Sequence, residues 1–178
     1  MARVFSAVDI DDDQVLNHLE KIRDKLDLGF SPVSRQKMHI TLEFFEDINE
    51  KKISRIQEAL DNIEQEAFKM KIEGLGAFPS EDYIRVVWAG VKSHQVFDLQ
   101  KQAGLHDVSS DNRHEFKPHI TLIRVENISG KKKSKLQRII NEHGSEKFGE
   151  ITVSQVKLFE SEMTADGSKY RKISSHKL

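Results

Sequence analysis

The chain has 178 residues, which suits one domain with a core that needs neither disulfides nor metals for its stability. The absence of cysteine excludes disulfides and thiolate metal sites, and 28 basic against 29 acidic residues argue against broad, non-specific binding of nucleic acid. No segment approaches the ~20 apolar residues of a membrane helix and no signal peptide is recognisable, so we expect a soluble, cytoplasmic and monomeric protein.

The first half of the chain alternates between strand and helix patterns. Short apolar or alternating runs indicate strands, and apolar residues three or four apart indicate helices. Acidic residues or asparagine stand where each helix begins, as expected for helix caps. The predicted elements are a strand over residues 3–10, a helix opened by Asp11–Asp13, a strand over 37–45, a helix capped by Asn49 and a strand over 68–78.

The second half repeats this order of elements with an offset of about 80 residues. An internal duplication of this kind predicts a single bilobal α+β domain, with halves at about 1–82 and 83–178 related by an approximate two-fold. We expect two antiparallel sheets that line a central groove, with helices packed on the outside. The predicted elements are a strand over 84–91, a helix capped by Ser93 and ended by Gly104, a strand over 116–122, a helix opened by Ser129, a strand over 151–160, a turn at Asp166-Gly167 and a strand over 170–175.

The tetrapeptide His-Ile-Thr-Leu occurs in both halves, beginning at His39 and at His119. Alternate residues of a strand share a face, so each copy should present its histidine and threonine on one face and its apolar residues on the other. The same alternation predicts Phe44 on the apolar face. His39 with Thr41, and His119 with Thr121, are therefore predicted to line the groove from its two sides.

Two imidazoles and two hydroxyls on facing surfaces suit a displacement at phosphorus. A neutral imidazole can take a proton from the attacking water, a protonated one can deliver a proton to the departing oxygen, and the hydroxyls can hold the phosphate oxygens. The sequence has no phosphate-binding glycine loop, no nucleophile-elbow serine and no helical histidine pair with metal-ligand spacing, so we expect neither metal nor cofactor. A single His-x-Thr is common in strands, and a duplicated one can reflect common descent without chemistry. The polar side chains are not needed for packing, which favours chemistry.

These residues resemble those of the 2H phosphoesterase superfamily, and within it the RNA 2′,3′-cyclic phosphodiesterase family, historically called 2′-5′ RNA ligases. The doubled His-x-Thr motif carries the resemblance, and flanking segments extend it over almost the whole chain. The similar segments are the opening strand at 3–8, the first motif at 38–47, the central segments at 78–80 and 85–91, the second motif at 116–125 and the C-terminal hairpin at 158–170. The family's usual Phe-Leu-Gly-Glu after the first motif is replaced here by Phe44-Phe45-Glu46-Asp47.

The resemblance implies hydrolysis of a 2′,3′-cyclic phosphate, at an RNA end or in a small cyclic nucleotide, to a 2′-phosphomonoester without metal or cofactor. It implies that His39 is the proton donor to the 3′-oxygen and that His119 is the proton acceptor from water. It also implies that Thr41 and Thr121 hold the phosphate.

Three further residues are candidates for contact with substrate: Arg124, Phe45 and His114. Strand alternation places Arg124 on the apolar face unless the strand ends or twists there. Two other functions use the same groove. One is an RNA- or nucleotide-binding module without turnover, and the other is an enzyme that joins RNA through a 2′-5′ bond.

Overall fold

A computed structural model describes residues 2–105, 115–128, 130–165 and 167–178 of the chain. These residues form nine strands, four α-helices and a short 3₁₀ helix at Arg35–Lys37. The strands are β1 (Ala2–Asp9), β2 (Ser31–Pro32), β3 (His39–Ile48), β4 (Phe68–Pro79), β5 (Ile84–Lys92), β6 (His119–Arg124), β7 (Lys147–Val153), β8 (Gln155–Thr164) and β9 (Gly167–Lys177). The helices are α1 (Asp13–Leu26), α2 (Glu50–Asp61), α3 (Gln95–Ala103) and α4 (Gly130–Glu142).

The strands form one curled antiparallel sheet in the order β7-β4-β5-β6-β3-β1-β8-β9, with β2 paired to β6. The two halves of this sheet meet where β3 pairs with β6, through Ile40 opposite Ile120. The predicted bilobal α+β architecture is confirmed, and the two expected sheets are halves of one continuous sheet. β4 pairs with β5, and β8 pairs with β1, so each half of the sheet contains strands from both halves of the sequence.

The helices bury their apolar faces in one core, which they share with the apolar side chains of the sheet. The Asp12 side chain accepts a hydrogen bond from the N–H of Val15, and Asn49 caps α2 in the same way, as the sequence predicted. The cap of α3 is His94 instead of the predicted Ser93, and it makes no side-chain capping bond. Among the described residues, no helix combines the length and the apolar composition needed to cross a membrane.

The strands differ in number from the prediction in two places. The strand predicted over 151–160 is two strands, β7 and β8, separated at Ser154. The two-residue strand β2 is too short for an alternation pattern, and it forms because its backbone pairs with β6. Ser129 and Asp166, predicted to open a helix and a turn, lie outside the described residues.

The junction between the two halves of the sheet depends on a packed isoleucine pair. Ile120 is fully buried, so we expect Ile120→Ala to lower the free energy of unfolding by about 2–5 kcal/mol, because it leaves a cavity. Urea denaturation measures the change. Met163→Ala is the matched control, since Met163 is 68% exposed and its loss should cost less than about 0.5 kcal/mol. Equal stability of the two variants would contradict a packed junction.

Candidate active site

Both motifs place their histidine and threonine on the sheet face opposite the helices, which we call the open face. These four side chains are partly exposed, whereas the isoleucine between each pair is fully buried. β3 and β6 pair at Ile40 and Ile120, and an antiparallel register continued from this pair sets His39 across from Thr121 and His119 across from Thr41. Each imidazole therefore stands beside a threonine of the other motif. The two histidines are diagonal neighbours, and the Cα atoms of such neighbours lie about 7–8 Å apart.

The same backbone contact orients both imidazoles. Nδ1 of His39 is 2.7 Å from the carbonyl oxygen of Lys37, and Nδ1 of His119 is 2.6 Å from that of Lys117. A carbonyl oxygen only accepts, so each Nδ1–H donates and the lone pair of the neutral ring lies on Nε2. Nε2 of His39 is 3.0 Å from the hydroxyl of Thr41, which donates to the neutral ring or accepts from the protonated one. Nε2 is thus the nitrogen of each ring that can exchange a proton with a ligand.

Burial lowers the pKa of both His39 and His119 below the ordinary value, because the charged ring loses hydration. The carbonyl contacts act in the opposite direction, since they stabilise the protonated ring. The positive charge of Arg124 lowers the pKa of both rings further, and charge on His119 does the same to His39. The carboxylate of Asp9 offsets part of this decrease in the pKa of His39. Both imidazoles are therefore mainly neutral at pH 7.

A β-bulge brings Arg124 to the open face. Pairing of β6 with β5 skips one residue, Leu122, so that Leu122 and Ile123 are both buried and Arg124 is exposed. Strand alternation alone put Arg124 on the apolar face, and the extra residue reverses that alternation. The guanidinium consequently acts on the pKa of both histidines from the end of β6.

The first motif has a bulge at the equivalent residue, Leu42, where β3 pairs with β1. Phe44 therefore lies on the open face, with its ring centroid 5.2 Å from that of Phe5, and the prediction of an apolar-face position was wrong. Phe45 is fully buried in the core, so its predicted contact with substrate is also wrong. His114, the third predicted contact, lies outside the described residues.

Aromatic rings flank the imidazole of His39. The ring of Phe5 is 5.1 Å from it and that of Tyr170 is 5.6 Å from it in an edge-on arrangement. Lys37 holds Tyr170 in place, because its ammonium donates to the carbonyl of Ser168 at 2.8 Å and lies 5.8 Å from the Tyr170 ring centroid. This wall restricts water around His39, which is the physical cause of its lowered pKa.

A second aromatic wall flanks His119. The ring of Phe78 is 4.8 Å from the imidazole and that of Trp88 is 6.2 Å from it. The indole lies directly over Gly76, where a Cβ would come within 2.3 Å of the ring. Sequence reasoning missed both walls, because their residues lie in strands remote in sequence from the motifs. The available signal was an Arg-Val pair shortly before an aromatic residue in each half: Phe5 follows the pair directly, and Trp88 follows it after one further valine.

The sequence profile described as "LigT like Phosphoesterase" matches residues 8–88 and 93–170. The chain belongs to the LigT-like phosphoesterase family. The resemblance inferred from the two motifs is thereby confirmed. The RNA 2′,3′-cyclic phosphodiesterase of Methanothermobacter thermautotrophicus is 36% identical over 176 residues, which cover 94% of each chain. The protein of the same name from Archaeoglobus fulgidus is 33% identical, over 95% of this chain and 96% of that one.

Solved structures show the same fold. The protein TT0787 of Thermus thermophilus superposes with a TM-score of 0.83 at 24% identity, over 99% of this chain and 97% of that one. Escherichia coli LigT complexed with 3′-AMP gives a TM-score of 0.75 at 20% identity, over 99% and 98% of the two chains. The curled sheet with its paired motif strands is thus the fold of LigT structures.

Three other histidines of this LigT-like phosphoesterase lie outside the site, and each has a carboxylate partner. His176 is 5% exposed, and its Nδ1 is 2.5 Å from Asp61 and its Nε2 is 2.7 Å from the Ser174 hydroxyl. His18 and His143 both contact the carboxylate of Glu146. Across the described ranges, no group of three or more His, Asp or Glu side chains is placed to hold a metal ion.

The single tryptophan, Trp88, allows the state of His119 to be followed by fluorescence. A protonated imidazole quenches a neighbouring indole, so emission should fall as the pH falls. Because burial lowers the pKa of His119, the ring gains its charge only below the ordinary value, and we expect a midpoint below 6.5. His119→Asn is the control and should remove this transition. A midpoint at or above 6.5 would contradict the buried environment of the ring.

Proposed function

We propose that this LigT-like phosphoesterase hydrolyses 2′,3′-cyclic phosphates, at an RNA end or in a small cyclic nucleotide, to 2′-phosphomonoesters. The observation that carries the proposal is the antiparallel pairing of two identical motifs, which sets two imidazoles and two hydroxyls around one point of the open face. The names of the relatives from Methanothermobacter thermautotrophicus and Archaeoglobus fulgidus support the same substrate.

The reaction is an in-line displacement at phosphorus. Water attacks the phosphorus atom while Nε2 of His119 takes its proton, so a new P–O bond forms. The P–O3′ bond breaks, and Nε2 of His39 delivers a proton to the departing 3′-oxygen. The products are a 2′-phosphomonoester and a free 3′-hydroxyl, with His39 left neutral and His119 protonated. Exchange of protons with bulk water restores the starting state.

The remaining side chains stabilise the charge that the phosphate gains in the transition state. The cyclic diester carries one negative charge, and attack by water adds charge to the non-bridging oxygens. Thr41 and Thr121 stand beside the imidazoles and can donate to these oxygens. Arg124 carries a fixed positive charge and presents a fork of N–H donors. These groups are fixed by the sheet before substrate binds, so little reorganisation is required during the reaction.

The site requires one neutral and one protonated imidazole at the same time. With the pKa of both rings lowered by burial, the fraction in the active state passes through a maximum on the acid side of neutrality. The pH profile of kcat/KM is therefore expected to be bell-shaped. A charged phosphate bound beside the rings favours their protonated forms, so the profile of kcat should lie at higher pH.

An RNA oligonucleotide with a 2′,3′-cyclic phosphate end tests the function directly, in EDTA and without ATP. We expect a 2′-phosphate product, which ³¹P NMR distinguishes from a 3′-phosphate. A 3′-phosphate would overturn the assignment of His39 to the 3′-oxygen. A longer RNA with a 2′-5′ linkage would show ligation instead, and tight binding without product would show a binding module. Activity that EDTA abolishes would contradict a reaction carried by the two imidazoles.

A further inference from the structure

The two imidazoles need different roles, although their motifs are identical in sequence. Each donates Nδ1–H to the carbonyl two residues before it, and each has aromatic neighbours. The proton donor and the proton acceptor must therefore be distinguished by residues outside the motifs. The two halves differ in the residue that pairs with each histidine on the neighbouring strand.

Asp9 on β1 lies directly opposite His39, and Gly90 on β5 lies directly opposite His119. Residues opposite each other in an antiparallel pair project to the same face, so the Asp9 carboxylate is on the open face beside His39. Gly90 presents no side chain at the equivalent place beside His119. A Cβ on Gly90 would lie 2.7 Å from the backbone oxygen of Glu73. The pseudo-symmetric site thus has a carboxylate on one side and a sterically enforced gap on the other.

Lys157 on β8 fixes the carboxylate of Asp9. Its ammonium forms an ion pair with Asp9, and its backbone is paired with Ala7, two residues before Asp9. The side chain of Lys157 is 18% exposed and that of Asp9 is 33% exposed, so the pair is only partly hydrated. Partial burial makes a charge act more strongly on its neighbours than it would in water. Lys157 also offsets part of the negative charge of Asp9.

We infer that Asp9, held by Lys157, is the positioning residue that makes His39 the proton donor, and that the vacancy opposite His119 at Gly90 leaves that ring as the proton acceptor. This inference rests on the proposed function, because it explains how the two roles are divided. Asp9 does not need to touch the substrate; it acts through His39.

The charges around His39 show why Asp9 is decisive. The charged or titratable groups that face the ring are Asp9 on β1, His119 and Arg124 on β6, Lys157 on β8, Tyr170 on β9 and Lys37 beside the motif. Asp9 supplies the negative charge in this set, and the cations act against protonation. A carboxylate favours the protonated imidazole, so it raises the pKa of His39 against the effect of burial. For His119, burial and the charge of Arg124 lower the pKa, and no carboxylate of the described residues raises it in this way.

Two substitutions that break the same ion pair test the inference, because they change the charge near His39 in opposite directions. Asp9→Asn removes the negative charge, and Lys157→Gln removes the cation that offsets it. NMR titration of the imidazole Cε1–H signals, assigned with His39→Asn and His119→Asn, gives each pKa without requiring turnover. We expect the pKa of His39 to fall in Asp9→Asn and to rise in Lys157→Gln, by about 0.5–1 unit in each case, with a smaller change at His119.

The pH profile of kcat/KM gives the second readout, since the alkaline limb reports the proton donor. That limb should move to lower pH in Asp9→Asn and to higher pH in Lys157→Gln, while the acid limb stays in place. A merely structural role predicts that both variants shift the limb in the same direction or leave it unmoved, and either result overturns the inference. If the parent protein has no phosphodiesterase activity but the two pKa shifts are opposite, the proposed function fails and the effect of Asp9 on His39 stands.

Discussion

His119→Ala is expected to lower kcat/KM for RNA with a 2′,3′-cyclic phosphate end by about 10²–10⁴, and His39→Ala should do the same. Each substitution removes one positioned proton-transfer group, and this is the contribution such a group makes. Release of the 2′-phosphate product, measured under single-turnover conditions, follows the chemical step directly. The matched control is His94→Ala, since His94 is an exposed histidine at the cap of α3.

The double variant separates cooperation from independent effects. If one imidazole takes the proton while the other delivers one in the same transition state, removing the second group adds little to the loss caused by the first. We therefore expect the variant with both histidines replaced to be about as slow as the slower single variant. Full activity of either single variant would disprove the two-histidine mechanism. Losses that multiply would place the two proton transfers in separate steps.

The repeat and the alternation of strands were enough to predict that the histidine and threonine of each motif share one face of the sheet. Side chains alternate between the two faces of a strand. The two-residue spacing of His39 and Thr41, and of His119 and Thr121, therefore indicated one polar face on each strand. The duplication indicated that the two faces belong to one site. Neither signal could show that β3 and β6 are direct neighbours, because strand order depends on contacts between residues distant in sequence.

The errors at Phe44, Phe45 and Arg124 have one physical cause. A β-bulge inserts an unpaired residue and reverses the alternation beyond it, and both motif strands have a bulge at the leucine of the motif. The sequence at Leu42 and at Leu122 does not indicate a bulge, since leucine is compatible with a regular strand. The position of each bulge is set by the pairing of β3 with β1 and of β6 with β5.

The aromatic walls and the Asp9 carboxylate were missed for a related reason. They reach the open face from β1 and β5, which flank the motif strands, and from the more distant strands β4 and β9, so their relevance depends on sheet order and register. Asp9 stands near the end of the strand predicted over residues 3–10 and was indistinguishable from the acidic residues Asp11–Asp13 that follow it. Only the register shows that it faces His39 and that Gly90 takes its place in the other half.

Arg124 is expected to have the second largest effect. Arg124→Met should lower kcat/KM for the cyclic phosphate by about 10²–10³, because a preorganised donor to the developing phosphate charge is lost. The same change should move both limbs of the pH profile to higher pH. The positive charge of Arg124 lowers the pKa of His39 and of His119, so its removal raises both. Arg138→Met is the control, since Arg138 is an exposed arginine on α4.

Arg124→Lys separates the two contributions of this residue. Lysine keeps the charge, so the pH profile should stay close to that of the parent protein. It replaces a planar fork of donors with a single ammonium, so kcat/KM should still fall, by about tenfold or more. A rate loss in Arg124→Met without any movement of the profile would mean that the guanidinium binds the phosphate but lies too far from the imidazoles to affect their protonation. A moved profile without a rate loss would remove Arg124 from the phosphate site and leave the two threonines as its donors.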